Sequence, residues 1–166
     1  MLWQSKGMSD APQDDGPAPR ATKASLPMAL LGAREAVMSH FRPMLDRLGV
    51  NEQQWRVIRV LAEAGPLDAT EVAGRANILA PSLTRMIRAL TERGLIAKAR
   101  DDGDGRRVML SVAPAGLALL RDAVPEQARI YAGLEARFGR DRVEELLGLL
   151  EALSALRADH PRSDSD

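Results

Sequence analysis

Cysteine is absent from this 166-residue chain, which excludes a disulfide framework, a thiolate zinc or iron–sulfur site and a cysteine nucleophile. Histidine is almost absent, with only His40 and His160, too few for a histidine-rich metal site and a poor start for a Ser-His-Asp relay. No paired carboxylates or nucleophile–base spacing stand out, so the chain reads as a non-enzyme without metal or cofactor. Aromatic residues make up 3% of it. Net charge is lacking too, because 23 Lys and Arg balance 23 Asp and Glu, and any polyanion-binding role must come from where the charges lie. Long hydrophobic runs are missing: the uncharged stretch from Leu26 to Ala33 is too short to cross a bilayer, and nothing near Met1 combines a basic start with an apolar run. The expectation is a cytoplasmic protein with no membrane partner.

What is present suffices for a core. Apolar residues make up 45% of the chain, against wholesale disorder, and the length favours one compact domain with tails. Residues 1–24 carry Pro12, Pro17, Pro19, Asp14, Asp15 and Gly16 with little periodicity, the composition of a disordered tail. Residues 159–166 read as a frayed end.

Between the tails the periodicity is mostly helical. Leu26, Leu30, Val37, Phe41, Met44, Leu45 and Leu48 recur at helical spacing, predicting a helix over 25–48 that Pro43 kinks and Gly49 ends. Asn51-Glu52-Gln53-Gln54 has the spacing of a capping box and opens a second helix that stops at Gly65-Pro66, with Trp55, Ile58, Leu61 and Ala62 inside. A short third helix follows Asp68-Ala69-Thr70-Glu71, again a cap with Glu three residues on, and buries Val72, Ala73 and Ala76. The fourth runs from Ala80 to Arg93, with Pro81 in its first turn and Gly94 just past its end. The period then changes to that of two short strands, Leu95–Arg100 and Arg106–Val112, around a Gly- and Asp-rich tip. From Pro114 the helical pattern resumes, with a break or kink at Pro125, and the last helix carries Val143, Leu146, Leu147, Leu150, Leu153 and Leu156 on an otherwise acidic rod.

The fold class is therefore mainly α with a small β-ribbon: a winged helix-turn-helix over 49–112, flanked by dimerisation helices over 25–48 and 113–158. The fourth helix is the natural DNA reader. Leu83, Met86, Ile87 and Leu90 fall on one side, while Pro81, Thr84, Arg85, Arg88 and Glu92 fall about 140° away. Such a helix can lie in the major groove, where Arg bonds guanine edges and Thr meets a phosphate or a thymine methyl. Charge agrees: from Arg75 to Arg107 there are eight basic residues against four acidic, and from Asp141 to Asp166 three against seven. Ser82, Thr84, Arg85 and Arg88 are the major-groove candidates. Arg106 is the minor-groove candidate, oriented by Asp104, and Arg75, Arg100 and Arg107 are candidates for phosphates.

The stretch from Leu48 to Arg59, then Pro81-Ser82-Leu83-Thr84-Arg85-Met86-Ile87, Glu92-Arg93-Gly94-Leu95-Ile96 and the Asp104-x-Arg106 of the ribbon together resemble the multiple-antibiotic-resistance-regulator (MarR) family over roughly Leu26 to Leu156. Within it, Ala29-Leu30-Leu31-Gly32-Ala33-Arg34-Glu35-Ala36 followed by Phe41-Arg42-Pro43 is similar to regulators of homoprotocatechuate degradation. The resemblance implies an obligate homodimer, repression of a nearby operon and release from DNA by an aromatic acid. One departure is Val112-Ala113, where the family often has Leu-Thr; the lost hydroxyl cap falls to Pro114.

An effector has a physical argument of its own. Arg34 projects within the apolar sector that holds Val37 and Phe41, and a guanidinium there needs an anion or must reach solvent. Glu35, about 100° round the helix, is poorly placed to supply it. The partner is then either a carboxylate elsewhere in the dimer or the carboxylate of a small aromatic ligand held by a bidentate fork, in a pocket walled by Trp55 and Met38 with Arg42 and His40 at its edge. Trp55 on its own reads more readily as core than as pocket wall. The leucine stripe of the last helix exceeds what so small a winged domain can cover. A second copy is the economical partner, and two copies would read a pseudo-palindromic duplex. The competing reading is a helical interaction module without DNA.

Overall fold

The computed structural model describes residues 25–100, 103 and 107–156. The expected tails, 1–24 and 159–166, and the wing residues Asp104 and Arg106 lie outside them. The described elements are α1 (Leu26–Arg47), α2 (Glu52–Ala64), β1 (Leu67–Asp68), α3 (Ala69–Ala76), α4 (Ala80–Glu92), β2 (Ile96–Arg100), β3 (Val108–Val112), α5 (Pro114–Phe138) and α6 (Arg140–Ala155). The chain forms two compact units, 1–37 and 38–166. Within the first, the described part is the opening of α1, where every residue from Leu26 to Val37 is exposed.

Within the second unit, local chemistry sets the helix ends. Asn51 opens α2 with a reciprocal capping box: its Oδ1 accepts the Gln54 N–H at 2.8 Å, and its own N–H donates to Gln54 Oε1 at 3.0 Å. Asp68 repeats the device for α3 with Glu71, at 2.9 and 3.0 Å. Asn77 closes α3 in the left-handed conformation (φ 52°, ψ 57°), which Asn tolerates better than most residues. Pro81 stands in the first turn of α4, and Gly94 follows its end at φ 68°.

The core draws on α1 to α5 and the sheet. Met44 and Leu45 of α1, Trp55, Val57, Ile58 and Leu61 of α2, and Val72 and Ala76 of α3 pack with Leu83, Met86, Ile87 and Leu90 of α4. Leu95, Ile96, Leu110 and Ala123 complete it from the wing and α5. Phe41 meets the Tyr131 ring edge-on at 5.4 Å.

Three expectations change. The sheet has three antiparallel strands in the order β1-β3-β2, not two, with Leu67 opposite Leu110 and Ile96 opposite Val112. A two-residue strand after Gly65-Pro66 has no alternation to read. The strands begin one and two residues later than expected, at Ile96 and Val108, and α5 runs unbroken through Pro125.

The start of α5 is tied to the wing. The Ala113 N–H donates to the Leu95 carbonyl at 3.0 Å, and Pro114 begins the helix without any side-chain cap. One turn on, Gly116 lies so close that a β-carbon there would sit 2.3 Å from the same carbonyl oxygen. By contrast α6 buries no residue, leaving Leu146, Leu147 and Leu149 exposed.

Candidate nucleic-acid interface

The fourth helix divides as its sequence predicts. Leu83, Met86, Ile87 and Leu90 are buried, while Ser82, Thr84, Arg85 and Arg88 are exposed on the other face. Sequence reasoning passed over Leu79, which stands 80% exposed at the N-cap of α4; a lone apolar residue in a turn offers no periodicity. Arg88 is not idle: its Nε donates to Glu92 Oε1 at 2.8 Å, an exposed i,i+4 pair worth little to stability. Arg75 is exposed in the last turn of α3, and Arg100 is exposed at the end of β2.

Behind this face, two side chains brace the helix-turn-helix without any sequence signal, their partners being far away in the chain. Arg56 of α2 donates from Nη1 to the carbonyl oxygen of Asn77, in the turn before α4, at 3.5 Å. Arg107, a phosphate candidate, bonds from Nη2 to Asp68 Oδ2 and lies 3.8 Å from Glu71 Oε2. The Asp68 carboxyl is held below its ordinary value of 3.8, chiefly because it accepts the Glu71 amide and next because it faces Arg107.

The proposed effector residues lie in both units. In the first, Arg34 Nη1 donates to Glu35 Oε1 at 3.1 Å, with the two side chains 47% and 48% exposed. This corrects the expectation that Glu35 is poorly placed: on an exposed helix face the long guanidinium stem turns to its sequence neighbour. In the second, Trp55 belongs to the core, Met38 packs half-buried against it, and His40 is exposed. Arg42 Nε donates to Glu52 Oε1 at 2.9 Å. Arg42 and Glu52 line an open cleft of about 390 Å³ with Leu45, Asp46, Val50, Asn51 and Gln53; Trp55 is not part of that lining. Among the described residues no group of His, Asp or Glu is arranged to hold a metal, and no helix is long and apolar enough to cross a membrane.

A helix-turn-helix whose second helix turns a Thr and Arg face outward from a packed back, followed by an antiparallel wing, defines a winged-helix DNA-binding protein. The MarR family model matches residues 50–108. The homoprotocatechuate degradative operon repressor of Escherichia coli is 40% identical over 132 residues, covering 80% of this chain and 89% of that protein. The structure of NadR in complex with 4-hydroxyphenylacetate superposes with a TM-score of 0.73 at 36% identity, over 84% of this chain and 99% of that one. That of the transcriptional repressor CouR bound to a 23-mer DNA duplex gives 0.72 at 30% identity, over 80% and 94%. The chain belongs to the MarR family and is a transcriptional regulator.

Proposed function

We propose that the protein is a cytoplasmic, homodimeric repressor of an operon for aromatic-compound breakdown, released from its operator by a small aromatic carboxylate. The observation that carries the DNA half is the exposed Ser82, Thr84, Arg85 and Arg88 face of α4, set on a fully buried back. Ser82, Thr84 and Arg85 read the major groove, and Arg88 joins them by leaving Glu92. Arg106, oriented by Asp104, enters the minor groove, while Arg75 and Arg100 take phosphates. The uncovered leucines of α6 support pairing with a second copy. A two-fold pair brings two recognition helices about 34 Å apart onto one face of a pseudo-palindromic duplex.

The effector reading draws on the homoprotocatechuate repressor's name and on the 4-hydroxyphenylacetate held by NadR. Arg42 and Arg34 are the guanidinium candidates for the ligand carboxylate. Each now faces a glutamate across a part-exposed pair, and exchanging such a partner costs about 0–1 kcal/mol. Release requires the ligand to favour a state whose recognition helices are wrongly spaced, since equal affinity for both states shifts nothing.

The test is titration of phenylacetates and benzoates against the complex with the duplex upstream of the chain's own gene. Salt-dependent binding that an aromatic acid reverses is expected, with Arg34→Ala losing release while keeping DNA affinity. If no duplex is held at any ionic strength, the helical interaction-module reading takes its place.

A further inference from the structure

We propose that Arg107, Asp68 and Glu71 form a positioning clasp that holds the foot of the wing against the first helix of the helix-turn-helix, and that Arg107 is not a phosphate ligand. This rests on the DNA-binding reading above. Arg107 stands directly before β3, the central strand of the sheet. Asp68 is at once the last residue of β1, paired with Met109 of β3, and the N-cap of α3. The Arg107 guanidinium bonds Asp68 Oδ2, while Asp68 Oδ1 is occupied by the Glu71 amide. Glu71, whose Oε2 accepts the Asp68 N–H, lies 3.8 Å from the same guanidinium. One carboxylate therefore serves two tasks with two oxygens: it caps α3 and fastens the strand that leaves the wing. The depressed pKa of Asp68 agrees with a carboxylate kept ionised by both partners.

The geometry has a functional consequence because the wing and α3–α4 must meet the duplex together. A wing root loosened from α3 leaves fewer molecules in the arrangement that engages both grooves, and apparent affinity falls with that fraction.

The two roles predict opposite signs for one substitution. Asp68→Asn keeps a competent N-cap and removes the charge that holds Arg107. If Arg107 positions the wing, DNA affinity falls by about two- to fivefold per half-site, the equilibrium equivalent of an exposed ion pair. If Arg107 is a phosphate ligand held back by Asp68, the same change frees it and affinity rises. Arg107→Ala supplies the second measurement, read as the slope of log affinity against log salt. A positioning residue leaves the slope unchanged, whereas loss of a phosphate contact flattens it by about 0.9 per arginine, nearly two for a dimer. Arg107→Lys, which keeps the charge at the clasp, is expected to recover most of the lost affinity. A rise with Asp68→Asn or a flattened slope with Arg107→Ala overturns this assignment alone. Failure of the wild type to bind any duplex overturns both it and the reading beneath it.

Discussion

Replacing Gly116 by alanine tests the junction between the wing and the C-terminal helices. The added β-carbon would lie 2.3 Å from the Leu95 carbonyl oxygen and 2.9 Å from Val112 Cγ2, against 3.4 Å for the near edge of ordinary contact. The closer obstacle is backbone, which cannot rotate away, so α5 and the Leu95 turn must separate by about 1 Å. Overpacking of this kind costs about 1–3 kcal/mol. The separation also strains the Ala113 N–H bond to that oxygen, worth about 0.5–1.5 kcal/mol. Alanine's better helix propensity returns about 1 kcal/mol. The net expectation is a loss of about 0.5–3.5 kcal/mol, which for a chain of this size lowers the melting temperature by about 1–14 °C. Calorimetry at fixed protein concentration measures it, concentration being held because dimerisation is linked to stability. Gly74 in α3 has nothing within 4 Å of its virtual β-carbon, so Gly74→Ala should hold or raise the melting temperature. A Gly116→Ala protein that melts with the wild type, or a Gly74→Ala protein that falls as far, refutes the close-approach argument.

Three further outcomes follow from the same structure. Arg85→Ala should cost about 1–3 kcal/mol of operator binding and relax specificity at one base step, measured by anisotropy at fixed salt; unchanged affinity removes Arg85 from the interface. Leu149→Lys places a charge on the uncovered face of α6 and should shift the protein from dimer to monomer in sedimentation, a shift whose absence would move the self-association surface elsewhere. Asp68 has a lowered folded-state pKa, so the stability it contributes is complete above its unfolded value of 3.8 and fades as pH falls through the lower folded value. The stability gap between wild type and Asp68→Asn should therefore narrow below about pH 4, and a gap constant down to pH 3 would contradict the linkage.

The parts legible from sequence were those written in local spacing. The two faces of α4 follow from the 3.6-residue period, and both capping boxes follow from a cap residue with Glu or Gln three positions on. What escaped was written across distance. Asp68 and Arg107 are 39 residues apart and meet only because β1 and β3 pair; no window along the chain contains both. Two residues cannot display alternation, so β1 gave no sign of itself. The Arg34 argument misplaced one partner: helical angle set Glu35 aside, whereas on the exposed opening of α1 the two side chains meet through flexible stems. Pro125 lies inside a continuous α5, so of the expected break or kink the break does not occur: a helix can absorb one missing backbone donor.

The Arg88–Glu92 pair bears on how the protein spends its time in a cell. Random chromosomal sequence offers about 10⁶–10⁹ competing places to rest, and attraction to them is set by how much uncompensated positive charge meets the phosphates. On the proposed DNA-binding reading, a helix that arrives with one of its arginines already matched clings less to irrelevant sequence, and a site that offers that guanidinium something better than its own glutamate is favoured over one that does not.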